Sequence, residues 1–340
     1  MSESREPEHC VAFDVGGTSI RGGCYDPATQ SITASAHRHT PNLHAHAGAS
    51  ADELQAKLFV ELEEMARELA GGKLPQLVGL AFPGPIDPAG NVLSVPTIFG
   101  RQVGPPRPIG RQLSKRWPET QVVLMNDVTA AGYYHLNAPD ESFCITTVSS
   151  GIGNKVFIHG RPMVGPGGRG GEIGHIVVDP APDALPCDCG GRGHLGGIAS
   201  GRGTLAALKR AVAEDPAGFE NSNLAVNASG AEQITNEAIV AAFHANDAWV
   251  TRHVAGVTAY LARVLASIHT AIGIERFVMI GGFALALGEG YRSLLAQLCD
   301  DSCWNLGQDW DKMIELGTTG SHAALIGAGR AAYDNWKQPS

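Results

Sequence analysis

The feature that most constrains this chain is a pattern that occurs twice: an apolar strand, a loop of glycine and hydroxyl residues, and a second strand. The first copy covers residues 10–25, CVAFDVGGTSIRGGCY, and the second covers residues 143–160, FCITTVSSGIGNKVFIHG. After each copy, strand patterns alternate with helical ones, which is typical of α/β proteins. The sequence therefore predicts two α/β domains with a cleft between them.

The length of 340 residues is sufficient for two domains that each bury a core. We expect the domain change between residues 126 and 142. The smaller domain would comprise residues 8–126 together with a C-terminal helix at about 321–336, and the larger domain residues 127–320, including a metal-binding loop at 172–194. Buried strands are predicted at 77–82 and 277–280, further strands at 121–125 and 312–316, and a long helix at 251–272.

Charge and composition narrow the choice of partners. The 25 basic and 34 acidic side chains give a net charge of −9, and no run of Lys or Arg forms a basic stripe, which argues against nucleic acid. The first ten residues are polar, and the longest uncharged apolar stretch, 277–287, is too short to span a bilayer, so we expect neither a signal peptide nor a membrane partner. The seven cysteines form no evident disulfide framework and favour a reducing cytoplasm.

The first glycine loop is a candidate anion site. The backbone N–H groups of Gly16, Gly17 and Thr18 would be free to point at a phosphate, and the Thr18 hydroxyl adds a donor. Asp14, at the end of the preceding strand, is placed to hold a hydrated Mg²⁺. The alternative is an ordinary tight turn.

Two further glycine loops follow strands later in the chain. Residues 149–153 resemble the first loop in position and chemistry, so the two loops together could cradle the phosphates of a nucleotide. Gly281 and Gly282 form a third glycine turn after the strand at 277–280.

A polar pair stands at the end of the strand at 121–125. Asn126 and Asp127 lead directly into a helical pattern, and open α/β sheets bind their ligands at this end of their strands. The alternative is that the pair only caps the helix, since Asn and Asp are favoured at the N-cap position.

Residues 171–201 gather a set of metal-ligating side chains. His175, Cys187, Cys189 and His194 are the kinds of ligand that close a tetrahedral zinc site, and Glu172 on the same loop is a candidate substrate contact. A structural zinc ion would hold this loop in place. The alternative is two core thiols and two surface imidazoles.

The ordered set DVGGTSIRGG, PGPID, MNDVTAAG, SSGIG, GEIGH, CDCGGRGHLGGIASG and FVMIGG resembles the ROK family of sugar kinases and sugar-sensing repressors. The resemblance covers nearly the whole chain. It implies the actin-like, hexokinase-type ATPase fold, with ATP, Mg²⁺ and a sugar bound in the cleft, a structural Zn²⁺, and a homodimer.

The resemblance also implies roles for individual residues. Those that match the two phosphate loops and the adenosine side are Asp14, Gly16, Gly17 and Thr18, then Ser150, Gly151 and Gly153, then Gly281 and Gly282. Asn126 would orient the acceptor, and Asp127 would be the catalytic base. Glu172 matches the sugar-binding glutamate, and His175 matches a histidine that both holds zinc and reaches the sugar.

This chain departs from the family pattern at four places. His194 replaces the last cysteine of the zinc motif, and Gly196 replaces a glutamate that grips hydroxyls at the anomeric end of a hexose. Thr97 stands in place of an asparagine, and Asn154-Lys155 in place of Gly-Gly. Lys155 would either touch phosphate or be a solvated strand residue.

These changes preserve the residues for phosphoryl transfer and alter those for the acceptor. We therefore hypothesise an ATP-dependent kinase whose acceptor is a hexose-like polyol, a sugar or C7 cyclitol, phosphorylated on its exocyclic primary hydroxyl. The alternatives are an ordinary glucokinase and a non-catalytic sugar-binding regulator. A repressor is disfavoured, because only nine residues precede Cys10 and a helix-turn-helix would need more.

Overall fold

The computed structural model describes residues 7, 9–100, 104–226, 228–318 and 322–337. It divides the chain into two compact units, each with a sheet and a core of its own. Unit 1 comprises Met1–Asn137, Val164–Gly170 and Gly320–Ser340, and unit 2 comprises Ala138–Met163 and Gly171–Thr319.

The first part of the chain contains, in order, β1 (Cys10–Val15), β2 (Ser19–Asp26), β3 (Ser31–His39), α1 (Ala51–Leu69), β4 (Leu77–Phe82), α2 (Pro96–Phe99), α3 (Ile109–Arg116), β5 (Gln121–Asn126) and α4 (Asp127–His135). There follow β6 (Phe143–Val148), β7 (Ile152–Ile158), β8 (Arg161–Pro162), α5 (Leu195–Ile198), α6 (Gly201–Glu214), α7 (Pro216–Glu220), α8 (Asn236–His244), α9 (Ala248–Ile272), β9 (Phe277–Ile280), α10 (Gly282–Asp300), α11 (Trp310–Met313), β10 (Ile314–Leu316) and α12 (Ala323–Lys337). Short 3-10 turns lie at Ile173–His175 and Ala231–Gln233.

The sheet of unit 1 has the strand order β3-β2-β1-β4-β5. β1 is antiparallel to β2 but parallel to β4, and β5 is parallel to β4. A capping box between Ser50 and Glu53 starts α1, which buries Leu54, Leu58 and Leu62 in the core of this unit. Because β1, β4 and β5 are parallel, their carboxyl ends lie at one edge of the sheet.

Helix α12 joins unit 1 through very close backbone contacts. A Cβ atom at Gly327 would lie 1.8 Å from the Ala130 carbonyl oxygen of α4, and one at Gly79 would lie 2.2 Å from the Ala328 carbonyl oxygen. Arg330 donates from Nη1 to the carbonyl oxygens of Tyr133 and Leu136, at 3.1 and 2.6 Å. These contacts hold α4 within unit 1.

The division of the chain differs from the predicted domain boundaries. Unit 1 continues past residue 126 to Asn137 because α4 packs on α12, and residues 164–170 return to it. There, a Cβ at Gly168 would lie 2.5 Å from the Asp87 Cα, so the two backbones touch. The predicted helix at 321–336 is α12, and residue 321 lies outside the described residues.

The sheet of unit 2 has the order β10-β9-β6-β7-β8, with β6 antiparallel to β7 and parallel to β9. By length and composition, α9 is the one described helix that could cross a membrane, but its Val250, Leu261 and Leu265 are fully buried in the core of unit 2. Helix α10 is interrupted at Gly288, where φ is 67° and ψ is −153°.

Candidate active site and metal centre

The turn between β1 and β2 is a tight one whose polar groups are largely occupied. The Gly16 amide donates to the Ser19 carbonyl oxygen at 2.8 Å. Thr40 Oγ1 donates to the Gly16 carbonyl oxygen, and Asn42 Nδ2 donates to that of Gly17, both at 2.7 Å. The expectation that the Gly16 amide is free for a phosphate is therefore wrong, because the turn itself uses it. Anion binding by Gly17 and Thr18 stays a prediction.

Asp14 lies beside this turn, at the end of β1. It is buried, and its Oδ2 is 2.9 Å from Arg21 Nη2 on β2. Burial raises the pKa of Asp14, and the Arg21 guanidinium opposes that rise. Sequence reasoning missed Arg21, although the short hairpin turn at residues 16–18 makes positions 14 and 21 cross-strand partners.

The Asn126-Asp127 pair begins α4. Asn126 is the N-cap, and its Oδ1 accepts from the amides of Val128 and Thr129 at 3.0 and 3.3 Å. The capping alternative is thus correct for Asn126, whose Oδ1 is used by the cap; one N–H of its Nδ2 is left for a substrate, because the other donates to Gly84. Asp127 Oδ1 also accepts from the Val128 amide, at 2.8 Å. A helix N-terminus favours a negative charge, which is the form of a carboxylate that accepts a proton.

The PGPID motif positions this pair. Asn126 Nδ2 donates to the Gly84 carbonyl oxygen at 3.0 Å. Gly84 has φ 85°, and a Cβ there would lie 2.1 Å from the Ser94 carbonyl oxygen, so glycine is required. Because β1, β4 and β5 run parallel, Asp14, near the turn-side end of β1, lies at the same edge of the unit 1 sheet as Gly84, after β4, and Asp127, after β5.

The second glycine loop is shorter than expected. The Ser149 amide donates to the Gly151 carbonyl oxygen at 2.9 Å, and β7 already begins at Ile152. Gly153 therefore lies in the strand, paired with Thr147, and the assignment of Gly153 to the loop is wrong. Ser150 is exposed at the tip.

Two helix starts meet the second loop. The Gly201 amide at the start of α6 donates to the Ser149 carbonyl oxygen at 2.8 Å. Gly281, with φ 98°, precedes α10, and a Cβ on it would lie 2.6 Å from the Val148 carbonyl oxygen. Gly281 and Gly282 thus lie beside the loop, and helix N-termini are suited to phosphate groups.

Glu172 precedes a 3-10 turn that packs against the start of β7. A Cβ at Gly174 would lie 2.1 Å from the Ile152 carbonyl oxygen. The Glu172 side chain is exposed, yet enough protein surrounds it that desolvation raises the pKa of its carboxyl group. The charges of Lys155 and His175 oppose that rise. Lys155 is only 4% exposed, so the solvated-strand alternative for it is wrong.

The four predicted metal ligands converge. The ligand atoms of His175, Cys187, Cys189 and His194 all lie within 4.8 Å of one another. Cys187 Sγ is 3.8 Å from His175 Nδ1, and Cys189 Sγ is 3.1 Å from His194 Nδ1. Ligand atoms of a tetrahedral zinc ion are separated by roughly 3.3–3.8 Å, so this donor set fits such an ion. Cys189 is exposed, which disagrees with the alternative of two core thiols.

Local backbone explains how His194 reaches the cluster. A β-bridge pairs Val177 with His194, which brings the His175 segment alongside. A Cβ at Gly191 would lie 2.5 Å from His194 Cε1, so the glycine makes room for an imidazole. Two residues after His194, Gly196 is buried, and a Cβ there would lie 3.1 Å from the Gly174 carbonyl oxygen. The position of the missing glutamate therefore borders the Glu172 turn.

Comparison with known proteins places the chain in a family. Residues 10–333 match the ROK family. The protein belongs to that family. This ROK protein is 41% identical over 335 residues to C(7)-cyclitol 7-kinase of Streptomyces hygroscopicus subsp. jinggangensis (strain 5008), covering 96% of this chain and 94% of that one. It is 36% identical over 132 residues to the glucokinase of Aeropyrum pernix, covering 37% of this chain and 39% of that one.

A solved structure agrees with the fold. The ROK hexokinase from Thermus thermophilus superposes with a TM-score of 0.73 at 28% identity, covering 97% of this chain and 99% of that one. The predicted family and the predicted actin-like, hexokinase-type α/β ATPase fold are confirmed. The roles of individual site residues stay predictions.

Proposed function

We propose that this ROK protein transfers the γ-phosphoryl group of ATP to the exocyclic primary hydroxyl of a C7 cyclitol. The observation that carries the proposal is the 41% identity to a protein named C(7)-cyclitol 7-kinase over 96% of the chain. The relatives confirm the class, an ATP-dependent sugar or cyclitol kinase. The glucokinase alternative has less support, because the Aeropyrum glucokinase matches only 37% of the chain.

The reaction requires a base and charge neutralisation. In unit 1, Asp127 takes the proton of the acceptor hydroxyl. The acceptor oxygen bonds to the γ-phosphorus, the bond from that phosphorus to the β,γ-bridging oxygen breaks, and ADP leaves. The glycine turns in unit 2 at residues 149–151 and 281–282, with the starts of α6 and α10 beside them, supply backbone donors for phosphate oxygens.

Two metals belong to the proposal. Mg²⁺ bound with ATP would neutralise phosphate charge, and Asp14 is the candidate to hold it through water. Zn²⁺ is the proposed occupant of the cluster formed by His175, Cys187, Cys189 and His194, which fits the spacing of a tetrahedral ion. Its role is structural, because it would hold the loop that carries Glu172.

The acceptor contacts in unit 2 support a cyclitol. Glu172 is the candidate hydroxyl contact, and Gly196 offers no side chain beside it. An acceptor whose hydroxyl loses a hydrogen-bond partner on binding is bound less well. An acceptor without a normal anomeric centre does not need the missing partner.

An ADP-release assay with Mg-ATP tests the function against hexoses, amino sugars and C7 cyclitols. We expect the highest kcat/KM for a C7 cyclitol, and phosphorus NMR of the product should show the phosphate on the exocyclic CH₂–O. A kcat/KM for glucose well above that of every cyclitol would favour glucokinase. Absence of ADP release with all acceptors, while sugars still bind, would favour the non-catalytic regulator.

We also propose a cytoplasmic homodimer. The seven cysteines are all free thiols, which is consistent with a reducing compartment, and the dimer follows from the family resemblance. Light scattering coupled to size-exclusion chromatography tests the dimer, and fractionation of the producing cells tests the location.

A further inference from the structure

We infer that Lys155 positions Glu172 and makes the acceptor site select neutral acceptors over acceptors that carry an ammonium group. This inference rests on the proposed function, because it assigns Glu172 to acceptor binding. Beyond the proposed function, it names Lys155 as a residue that determines specificity, and it states that the preferred acceptor is uncharged. Lys155 is a positioning residue here, since it acts through Glu172.

The first observation is where the Lys155 ammonium lies. Lys155 is on β7 and is 4% exposed, which is unusual for a lysine. Its Nζ is 2.7 Å from the point that a Cβ on Gly171 would occupy. The ammonium group therefore fills the space of a side chain at position 171, immediately before Glu172.

The second observation is that the preceding residue holds the other side of Glu172. Asn154 is 2% exposed, and its Oδ1 accepts from the Ile173 amide at 3.3 Å. A Cβ on Gly171, whose φ is 78°, would also lie 2.5 Å from the Asn154 carbonyl oxygen. Asn154 and Lys155 thus contact the residues on both sides of Glu172.

The third observation concerns charge. The Lys155 ammonium lies beside Gly171, so a buried positive charge stands next to the residue that precedes Glu172. A buried ammonium acts strongly on neighbouring charges because little water screens it. Lys155 therefore compensates the charge of Glu172 and repels a cation brought to the same place. Without Lys155, an uncompensated Glu172 would attract that cation.

The test is Lys155→Met, which retains most of the side-chain volume and removes the charge. The kcat/KM of a neutral C7 cyclitol and of the same cyclitol bearing an amine are compared in the wild type and the variant. We expect the neutral-to-amine ratio to fall by about tenfold or more in the variant, in line with loss of a charged contact. The KM of the neutral acceptor should rise, and the KM of ATP should stay the same.

The ratio does not depend on the fraction of folded enzyme, so partial misfolding of Lys155→Met leaves the test valid. Lys209→Met is the matched control, because Lys209 lies on α6 near an exposed carboxylate of Glu232, at 3.5 Å. The control should keep the wild-type ratio. An unchanged ratio in Lys155→Met, or equal losses for both acceptors with a raised KM of ATP, would overturn the inference while leaving the kinase assignment intact. A wild type that phosphorylates neither acceptor, nor any other in the panel, would overturn both.

Discussion

Among individual side chains, Asp127 and Asp14 are two carboxylates at one sheet edge with different surroundings. The Asp127 carboxylate accepts a hydrogen bond from the Val128 amide at the start of α4 and is only half-buried. Asp14 is buried against an arginine. The partly exposed carboxylate of Asp127 is suited to a base that contacts the acceptor hydroxyl. The buried carboxylate of Asp14, paired with Arg21, is suited to holding a cation.

Replacing Asp127 with Asn should reduce kcat by about 10²–10⁴, because a base in the transition state contributes that much. The amide has nearly the shape of the carboxylate, so the dissociation constants of acceptor and ATP should change little. Rapid-quench kinetics and calorimetry measure the two effects. Asp140→Asn, at an exposed position, is the control. A kcat within a few fold of the wild type would remove Asp127 from this role.

Replacing Asp14 with Asn should lower the kinase activity without lowering the thermal stability at pH 7. Burial raises the pKa of Asp14 in the folded protein, so ionisation is harder there than in the unfolded chain. The folded state consequently loses stability as the pH rises from the unfolded pKa, about 3.9, through the folded one. At pH 7 the variant should have the same or a higher Tm, and this difference should shrink as the pH falls towards 4.

The same variant should lose activity with Mg-ATP by about 10²-fold or more, if Asp14 neutralises charge in the transition state. Thermal unfolding across pH and the ADP-release assay measure the two properties. A lower Tm at pH 7 would show that the Arg21 contact outweighs desolvation.

In the loop that carries the candidate metal cluster, one of the four candidate ligands differs from the usual family motif. His194 stands where the family usually has cysteine, and Gly191 provides the space for its ring. Both imidazole and thiolate bind zinc, but at different lengths, so the loop backbone must suit the ligand.

If the cluster binds zinc as proposed, the wild type should contain about one ion per chain, His194→Ala should contain much less, and His194→Cys should retain more than the alanine variant. The alanine variant should also unfold at a lower temperature, since metal binding stabilises the folded loop. Metal analysis after dialysis and thermal unfolding with and without a chelator are the measurements. His37→Ala, on the edge strand β3, is the control for a lost imidazole. Full zinc content in His194→Ala would exclude His194 as a ligand.

For the chain as a whole, the last helix completes the first unit. Residues at the end of the sequence pack on strands from its beginning, and glycines at positions 79 and 327 permit the backbones to touch. Helix α12 therefore contributes Leu325, Ala328 and Ala331 to a core cluster that also contains Ala12 and Ala81 of the sheet.

Gly327→Ala should lower the free energy of unfolding by about 1–3 kcal/mol or more, because a Cβ would lie 1.8 Å from the Ala130 carbonyl oxygen. Gly256→Ala is the matched control: it is also in a helix, α9, and a Cβ there meets nothing within 4 Å. The control should be neutral or up to about 1 kcal/mol more stable. Urea unfolding followed by circular dichroism measures both, and equal midpoints for the two variants would contradict the packing argument.

Local patterns were enough to predict most of the helices and strands. The apolar runs of β1, β4 and β9 are buried on both faces, so their composition alone marks them. β3 was not predicted, because it is an exposed edge strand with no apolar run. The strand predicted at 312–316 begins only at Ile314, since Lys312 and Met313 lie in α11.

The amino-acid sequence was sufficient for the two α/β halves, the family and the four side chains that converge as a candidate metal cluster, because these follow from residue types within short windows. Tertiary structure decided the end of unit 1 at Asn137, the pairing of Asp14 with Arg21, the use of the Gly16 amide inside its turn, and the burial of Lys155 beside Glu172. Each of these four features depends on residues that strand register and chain folding bring into contact. A group's hydrogen-bond partner and its exposure to water are set by such neighbours.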